Sequence, residues 1–376
     1  MGKTVSLDEV IYQWFDHLHE YPEVSWKEFE TTKKIASILK EMNVPYQTFE
    51  DCTGLIAEIG RGEEVIAVRA DIDALWQEVD GEMRANHSCG HDANISMVLG
   101  ALSLIKNEKF KKRIRFIFQP AEETGGGSLA MIDRNVLEDV TQLYGVHLRP
   151  QEELPFGKVT PAIHHGAAVF LHGKIIGIDA HGARPHQGKN AIDVLFGIQQ
   201  MLKNIYMNPA EIYSAKLTKM VADGGSINII PGSATFSIDV RSQKNQVLDE
   251  VKKRIELGFN YIQNQFEVKL EWEWLDMTPG AEVSAHAAKI AELSIIEAVG
   301  MEALADPILT PGSDDFHFYT VRKPSLQATM IGIGANLEPG LHHPNMTFEK
   351  EAMVVGAKVL AKTLLNASNS TKGPLI

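Results

Sequence analysis

Residues 65–75 read VIAVRADIDAL, a short β-branched apolar run that gives way to two carboxylates. The run alternates little between apolar and polar side chains, which is typical of a strand buried on both faces of a sheet. We therefore predict a buried strand at about 65–70 that ends at Asp71 and Asp73.

Outward from this strand, helical and strand-like patterns alternate. Helices are predicted at 6–20, 26–42, 91–107 and near 128–137, and strands at 113–119 and 142–148. Alternation of this kind predicts a largely parallel, doubly wound sheet with helices around it.

From about residue 172 the pattern changes. It reads strand (170–179), helix (191–206), strand pair (226–242), long helix (244–266) and strand (267–275). The order βαββαβ is the ferredoxin-like split pattern. After a turn at 278–280 the α/β pattern returns, with predicted elements at 284–299, 328–334 and 349–365.

The fold class is therefore α/β. We expect a larger domain formed by 1–171 and 281–376, whose mostly parallel sheet is flanked by helices. It is interrupted by an inserted ferredoxin-like α+β domain at 172–280. The last ten residues, rich in Ser and Asn, predict a frayed tail.

Composition restricts the class of protein. The chain has 376 residues, of which 44% are hydrophobic and 23% charged, as in soluble globular proteins with two domains. Its net charge of −13 argues against nucleic acid as a partner, because phosphate binding needs concentrated Lys and Arg. Two cysteines, Cys52 and Cys89, are too few for a secreted disulfide scaffold.

The start of the chain, MGKTVSLDEV, lacks a signal-peptide pattern. No apolar run approaches the roughly 20 residues that a membrane-spanning helix needs. We therefore expect a cytoplasmic protein without a membrane partner.

Three of the predicted strands end in titratable side chains. One ends at Asp71 and Asp73, one at Glu122 and Glu123, and one at His147. Ligands of open α/β sheets bind beyond the carboxyl ends of the strands. We expect these side chains to converge on one site.

The motif HSCGHD, residues 87–92, falls at a predicted helix start. A thiolate and an imidazole two residues apart, Cys89 and His91, suit Zn²⁺, or Mn²⁺ if carboxylates dominate the other ligands. The helix N-terminus favours the ligating thiolate. The alternative is an inert buried cysteine, with Asp92 as a helix cap.

Adjacent carboxylates at a strand end can do different work. Of Glu122 and Glu123, one can bind a metal while the other accepts a proton from a metal-bound water. The alternative is an ordinary acidic turn.

The isolated histidines are weaker signals. For His147 alone, a hydrogen-bonded core or rim histidine is the simpler interpretation, and a metal ligand is the alternative. Either His342 or His343 is a candidate ligand, and both are equally consistent with plain loop residues.

The inserted domain carries a second polar group. The loop HGARPH, residues 181–186, suits an incoming carboxylate or a developing oxyanion, but incidental loop histidines are the simpler interpretation. Asn228 and Arg241 flank a Pro-Gly turn. The arginine could grip a carboxylate or form a surface salt bridge.

Taken together, these motifs resemble the two-metal aminoacylase/carboxypeptidase superfamily. The narrower resemblance is to its branch of hippurate hydrolases, auxin-conjugate hydrolases and N-acetyl-diaminopimelate deacetylases. The motifs that carry it are RADIDAL (69–75), CGHD (89–92), QPAEE (119–123), GVH (145–147), HGARPH (181–186), NIIP (228–231), SDDF (313–316) and HHP (342–344).

The resemblance implies a metal-dependent hydrolase that cleaves the amide bond of an N-acetyl or N-aroyl amino acid. It implies two divalent ions per subunit, with Mn, Zn, Co and Ni as candidates. The implied metal ligands are Cys89, His91, Glu123, His147 and His342. His342 is preferred to His343 because the family's ligand lies two residues before the proline.

The resemblance also implies roles for residues around the ions. Glu122 would be the general base, and His181 would stabilise the oxyanion. Asp73 and Asp92 would orient metal ligands, and Asn228 and Arg241 would bind the substrate. The inserted domain would be a lid, and a homodimer would form through it.

The sequence departs from the branch at several points, including 188–191, where an Asp-Pro pair is more usual, and Asp314, where Glu is common. Asn94 stands where a second histidine is usual, and the loop at 75–87 is short, so an unusual pocket is expected. A dipeptidase or carboxypeptidase of the same superfamily is the nearest alternative. Two others are a non-catalytic binding module and an amidase with Cys89 as nucleophile.

Overall fold

The structure is a computed structural model that describes residues 6–370. Part of the N-terminal stretch that bears on the signal-peptide argument, and residues 371–376 of the predicted frayed tail, lie outside the described residues. The described chain is helical through Asn369, so the frayed-tail prediction is wrong for 367–369.

The helices and strands are numbered in chain order. The α-helices within residues 6–370 are α1 (Leu7–Glu20), α2 (Phe29–Glu41), α3 (His91–Ile105), α4 (Gly127–Asp133), α5 (Ala191–Lys203), α6 (Asn245–Phe266), α7 (Ala285–Val299), α8 (His317–Arg322) and α9 (Glu351–Asn369). The strands are β1 (Tyr46–Thr48), β2 (Leu55–Ile59), β3 (Val65–Asp71), β4 (Leu75–Val79), β5 (Glu82–Asn86), β6 (Arg113–Gln119), β7 (Val140–Pro150), β8 (Val159–Thr160), β9 (Ile163–His165), β10 (Ala167–Ile176), β11 (Ala180–His181), β12 (Tyr213–Ala222), β13 (Ile229–Ile230), β14 (Ser233–Ser242), β15 (Lys269–Thr278), β16 (Ile308–Thr310) and β17 (Gln327–Leu337).

The chain forms two compact units. The first runs to His164, resumes over Glu282–Leu309 and continues from Asp315, and the second comprises His165–Ala281 and Thr310–Asp314. The division therefore begins seven residues before the predicted boundary at 172. The assignment of the second unit as a lid and dimerisation domain stays a prediction.

The first unit is built on a seven-stranded sheet with the order β1-β2-β6-β3-β7-β17-β8. Its four central strands, β6, β3, β7 and β17, run parallel, whereas the pairings β1–β2, β2–β6 and β8–β17 are antiparallel. The sheet is mixed, so the prediction of a mostly parallel sheet holds only for its centre. β1 and β2 are joined by a short loop, which reverses the chain, whereas a parallel pair needs a long crossover.

Helices cover both faces of this sheet. α1, α2, α3, α7 and α9 contribute to one buried apolar cluster, and α4 and α8 contribute to a second. Alternate residues of β3 enter the two clusters, with Ile66 and Val68 in the first and Val65 and Ala67 in the second. Burial on both faces explains why the sequence of β3 is continuously apolar.

The main elements of the second unit follow in the order β10-α5-β12-β14-α6-β15, with the short strands β11 and β13 between them. Its sheet is antiparallel throughout, in the order β12-β14-β10-β15, which matches the predicted βαββαβ pattern. Its helices pack on this sheet around a separate apolar core.

Two elements were misread from the sequence. The strand pair was predicted within 226–242, but its first member is β12, at Tyr213–Ala222. β12 is an edge strand in which apolar residues alternate only as far as Leu217, where a bulge shifts the register, and its exposed positions include Lys216 and Lys219. The sequence predicts a loop at 75–87, but β4 and β5 pair there as an antiparallel hairpin. No described helix is long and apolar enough to cross a bilayer.

Close packing of α1, α3 and α9 generates a prediction at Gly100. A Cβ added there would lie 2.8 Å from both Ala357 Cβ and Ile11 Cδ1. Alanine favours an isolated helix over glycine by about 1 kcal/mol, but overpacking costs about 1–3 kcal/mol. We expect Gly100→Ala to lower the urea midpoint of unfolding.

The double variant Gly100→Ala/Ala357→Gly moves the methyl group from one helix to the other and should recover part of the loss. A Gly100→Ala protein more stable than wild type would contradict this packing.

Candidate metal centre

The five predicted metal ligands come from four segments of the first unit. Cys89 precedes α3 and His91 is the first residue of α3, while Glu123 follows β6. His147 lies in β7, and His342 lies in the loop after β17. Because β6, β3 and β7 are parallel neighbours, their carboxyl ends lie at one edge of the sheet, and the structure brings all five side chains together there.

Interatomic distances define the cluster. Cys89 Sγ lies 3.6 Å from His147 Nε2, and Glu123 lies 3.9 Å from His91 Nε2 through Oε1 and 3.4 Å from His342 Nε2 through Oε2. The potential ligand atoms of Cys89, His91 and His147 lie within 4.8 Å of one another, as do those of Cys89, Glu123 and His342. Two overlapping three-residue groups therefore share the thiol.

The His342 side chain reaches the cluster, as the resemblance to the family implies. Its neighbour His343 uses Nδ1 to accept the backbone N–H of Asn345 at 3.2 Å. The geometry therefore favours His342 as the candidate ligand from this pair.

Two buried atoms of the cluster indicate that it is built for a cation. His91 Nε2 and Glu123 Oε1 are buried and have no hydrogen-bond partner among the described residues, although they lie 3.9 Å apart. Leaving such groups unsatisfied is costly, and native proteins seldom do so without a ligand. Thiolate, imidazole and carboxylate together suit borderline divalent ions, so the residues present fit the implied metals.

Titration behaviour leads to the same conclusion. Burial raises the pKa of Glu123 to about 7, although His91 opposes the rise. Burial, with the Glu123 charge beside it, also holds the pKa of the Cys89 thiol well above its usual value. Burial by itself would lower the pKa of His91, but the Asp71 carboxylate and Cys89 raise it well above the ordinary value. A bound cation would stabilise the deprotonated forms of Cys89 and Glu123, which burial disfavours.

Asp73 fixes the orientation of two candidate ligands. His91 Nδ1 lies 3.0 Å from the Asp73 carbonyl and 3.2 Å from Asp73 Oδ1, so His91 presents Nε2 to the cluster. Asp73 Oδ2 accepts the backbone N–H of Glu123 at 3.0 Å and the Ser25 hydroxyl at 2.7 Å. Partners of this kind set the tautomer and direction of ligating histidines.

Asp92, the other predicted orienting residue, makes different contacts. Its carboxylate lies 2.7 Å from His19 Nδ1 and accepts the N–H of Ala93 at 2.8 Å. The hydrogen bond to Asp92 raises the pKa of His19. These contacts join α1 to the start of α3, and the role of Asp92 in orienting a ligand stays a prediction.

Glu122 is directed differently from Glu123. Its Oε2 lies 3.9 Å from His91 Nε2, and its Oε1 accepts the backbone N–H of Asp315 at 3.3 Å. The Glu122 carboxylate therefore lies beside the cluster, and the backbone N–H that holds it belongs to Asp315, which is not one of the five candidate ligands. A carboxylate in this position suits a proton acceptor.

The turn that carries both glutamates is held by a residue that the sequence did not reveal. Ala121 adopts φ +52°, in the left-handed region. Its N–H donates to the buried Glu28 carboxylate at 2.8 Å, and Thr53 donates to the same carboxylate at 2.6 Å. Burial raises the pKa of Glu28. Gly127 completes the turn, since a Cβ there would lie 1.6 Å from the Pro120 carbonyl oxygen.

A buried polar network behind the cluster was also missed. Arg69 is fully buried and donates to Asp71, to Gln119 at 2.9 Å and to Asp315 at 2.8 Å. Asn94, flagged from the sequence as unusual, joins the network by donating to Asp71 at 2.8 Å. The network fixes Asp315, whose N–H holds Glu122. The motifs RADIDAL, QPAEE and SDDF contain most members of this network, but the sequence does not indicate that these residues contact one another.

The remaining predicted site residues lie in the second unit. His181 and Asn228 are neighbours, because β11 pairs with β13 and the Gly182 N–H donates to the Asn228 carbonyl at 2.7 Å. His181 is exposed. Arg241 lies on β14 and pairs with Asp239 at 3.1 Å, the salt bridge considered as an alternative.

Comparisons with known proteins bear on these residues as a set. Residues 67–366 match the profile of peptidase family M20/M25/M40. An N-acetyl-L-cysteine deacetylase of Bacillus subtilis is 31% identical over 95% of this chain and 88% of its own. An IAA-amino acid hydrolase ILR1-like 4 of Arabidopsis thaliana is 32% identical over 64% of this chain and 57% of its own.

Two further proteins extend the comparison. Thermostable carboxypeptidase 1 of Saccharolobus solfataricus is 28% identical over 97% of both chains. A crystal structure from Bacillus subtilis, described as a dinuclear metal-binding peptidase of the M20 family, is 26% identical with a TM-score of 0.84. It covers 97% of this chain and 99% of its own. The resemblance drawn from the motifs is confirmed: this chain belongs to peptidase family M20/M25/M40 and is a metal-dependent hydrolase.

Proposed function

We propose that this hydrolase cleaves the amide bond of an N-acetyl or N-aroyl amino acid with a metal-activated water. The observation that carries the proposal is the convergence of the five candidate ligands, with the Glu122 carboxylate beside them. Two buried ligand atoms, His91 Nε2 and Glu123 Oε1, have no hydrogen-bond partner among the described residues. The names of the deacetylase and IAA-amino acid hydrolase relatives support the substrate class.

Cys89, His91, Glu123, His147 and His342 would hold two divalent ions, with Mn, Zn, Co and Ni as candidates. The two three-residue groups that share Cys89 support this number, as does the dinuclear description of the related crystal structure. When bound, such ions act as Lewis acids and lower the pKa of a coordinated water toward about 7.

Glu122 would act as the general base and then as the general acid. It would take the proton of the attacking water and return it to the departing amine nitrogen. The Asp315 N–H donates to Oε1 of this carboxylate, and Oε2 lies 3.9 Å from His91 Nε2, beside the candidate ligands.

The second unit would contribute substrate-binding groups. His181 would stabilise the negative charge that develops on the carbonyl oxygen, and Asn228 and Arg241 would bind the substrate carboxylate. Arg241 would have to exchange its bond with Asp239 for the substrate. We propose in addition that this unit acts as a lid and as the contact surface of a homodimer, and that the protein works in the cytoplasm.

A dipeptidase or carboxypeptidase activity is the second candidate, because one relative across nearly the whole chain is named a carboxypeptidase. Both activities use the same metal chemistry and differ in the acyl group that is accepted. Substrate comparison is therefore the direct test of the proposal.

We expect the purified protein to hydrolyse N-acetyl and N-benzoyl amino acids with higher kcat/KM than dipeptides that carry the same C-terminal residue. Release of the free amino acid, measured by ninhydrin or chromatography, provides the readout. Faster cleavage of the dipeptides would favour the peptidase, and no turnover of either class would contradict the proposal.

Glu122→Gln should lower kcat by about 10²–10⁴-fold, the usual contribution of general acid–base catalysis, while metal content stays near wild type. Gln is isosteric but cannot take the proton. Glu152→Gln, at an exposed glutamate, is the matched control and should be unchanged. Near-normal turnover of Glu122→Gln would exclude Glu122 as the base.

His181→Ala should lower kcat by about 10²–10³-fold, the usual loss of one oxyanion donor. Metal content should stay constant, because the candidate ligands belong to the other unit. His186→Ala, in the same exposed loop, serves as the control. Equal activity of the two variants would remove His181 from the mechanism.

A further inference from the structure

His342 differs from the other candidate ligands in how it is supported. Its side chain is 55% exposed, whereas the His91 side chain is fully buried by α3 and its surroundings. Its backbone has φ +66°, in the left-handed region that non-glycine residues seldom adopt. An exposed ligand in a strained loop needs contacts that hold its position.

Those contacts come from the β4–β5 hairpin and from Ser88, two residues after it. The His342 N–H donates to the Ser88 carbonyl at 2.7 Å, and Gln77 Nε2 donates to the His342 carbonyl at 3.0 Å. Asn86 Nδ2 donates to the Pro344 carbonyl at 3.0 Å. The backbone of His342 is therefore held at both its N–H and its carbonyl.

The orientation of the Gln77 amide is determined by its other partners. Gln77 Oε1 accepts from Asn86 Nδ2 at 2.9 Å and from the Ser88 hydroxyl at 2.6 Å. Since the oxygen is engaged by two donors, the Nε2 group is the end that faces the His342 carbonyl. One half-buried side chain thus joins the hairpin, the His342 loop and Ser88.

The same contacts connect two ligand segments. Ser88 immediately precedes Cys89, and His342 Nε2 lies 3.4 Å from Glu123 Oε2. A shift of the His342 loop would change its distance from both Cys89 and Glu123.

We propose that Gln77 is a positioning residue that fixes His342 against Cys89 and Glu123 and thereby sets the affinity of the ion that these three residues hold. The proposal rests on the two-metal centre proposed above. Gln77 is not one of the five candidate ligands, and its hydrogen bonds go to the His342 carbonyl, Asn86 and Ser88. The hairpin is thus a clamp for the most exposed ligand.

The test is a titration of chelator-stripped, full-length protein with Mn²⁺ and with Zn²⁺, followed by calorimetry or competition with a chromophoric chelator. Wild type should bind two ions. In Gln77→Ala, the dissociation constant of the more weakly bound ion should rise about tenfold or more relative to wild type, as is typical when a hydrogen bond that supports a metal ligand is lost. The affinity for the more tightly bound ion should not change. At saturating metal, kcat should return to within about twofold of wild type.

Glu78→Ala is the matched control. Glu78 is the next residue of β4, is exposed and points to the opposite face of the hairpin. The Glu78→Ala protein should bind both ions as wild type does. The metal-free forms of Glu78→Ala and Gln77→Ala should unfold at the same temperature. If Gln77→Ala does not fold, Gln77→Glu provides the test, because it keeps the acceptor for Asn86 and Ser88 but has no N–H for the His342 carbonyl.

Wild-type affinity for both ions in the Gln77 variant would overturn the clamp while leaving the two-metal centre intact. Equal weakening in Glu78→Ala, or loss of both ions together with a lower unfolding temperature, would also overturn it. A wild-type protein that binds no ion would overturn both proposals.

Discussion

The structure depends on a concentration of acidic and metal-ligating groups at one buried edge of a parallel sheet. Cys89, Glu123 and His91 are removed from water there, and burial raises the pKa of the Cys89 thiol and of the Glu123 carboxyl. Burying such groups without compensation is expensive. A divalent cation is the compensation that this set of donors fits, and the surrounding fold serves to keep the donors in place.

Several layers of contacts supply that rigidity. Asp73 fixes a ligand side chain and a ligand backbone at once, and Glu28 holds the turn on which Glu122 and Glu123 diverge. Behind them, Arg69 donates to Asp71 and Gln119, at the ends of β3 and β6, and to Asp315, which joins the three segments in one hydrogen-bond network. Preorganisation of this kind keeps catalytic groups within hydrogen-bond range without rearrangement during turnover.

Sequence patterns predicted the central strands, most of the helices and the convergence of the candidate ligands. They succeeded because burial on both faces leaves an apolar run and because parallel strands place their carboxyl ends together. They failed where the determining contact is distant in the chain. Nothing near Glu28 indicates Ala121, and nothing near Arg69 indicates Asp315. The apolar alternation of the edge strand β12 stops after Leu217, and the role of the β4–β5 hairpin is visible only from its contacts with the His342 loop.

The most direct test of the two-metal hydrolase is the metal content of the purified protein, measured by mass spectrometry alongside hydrolysis of an N-acyl amino acid. The account predicts two divalent ions per chain, loss of activity when a chelator removes them, and recovery when Mn²⁺, Zn²⁺ or Co²⁺ is restored. Chelator-resistant turnover with an acyl group bound covalently to Cys89 would contradict it and would establish the thiol as a nucleophile.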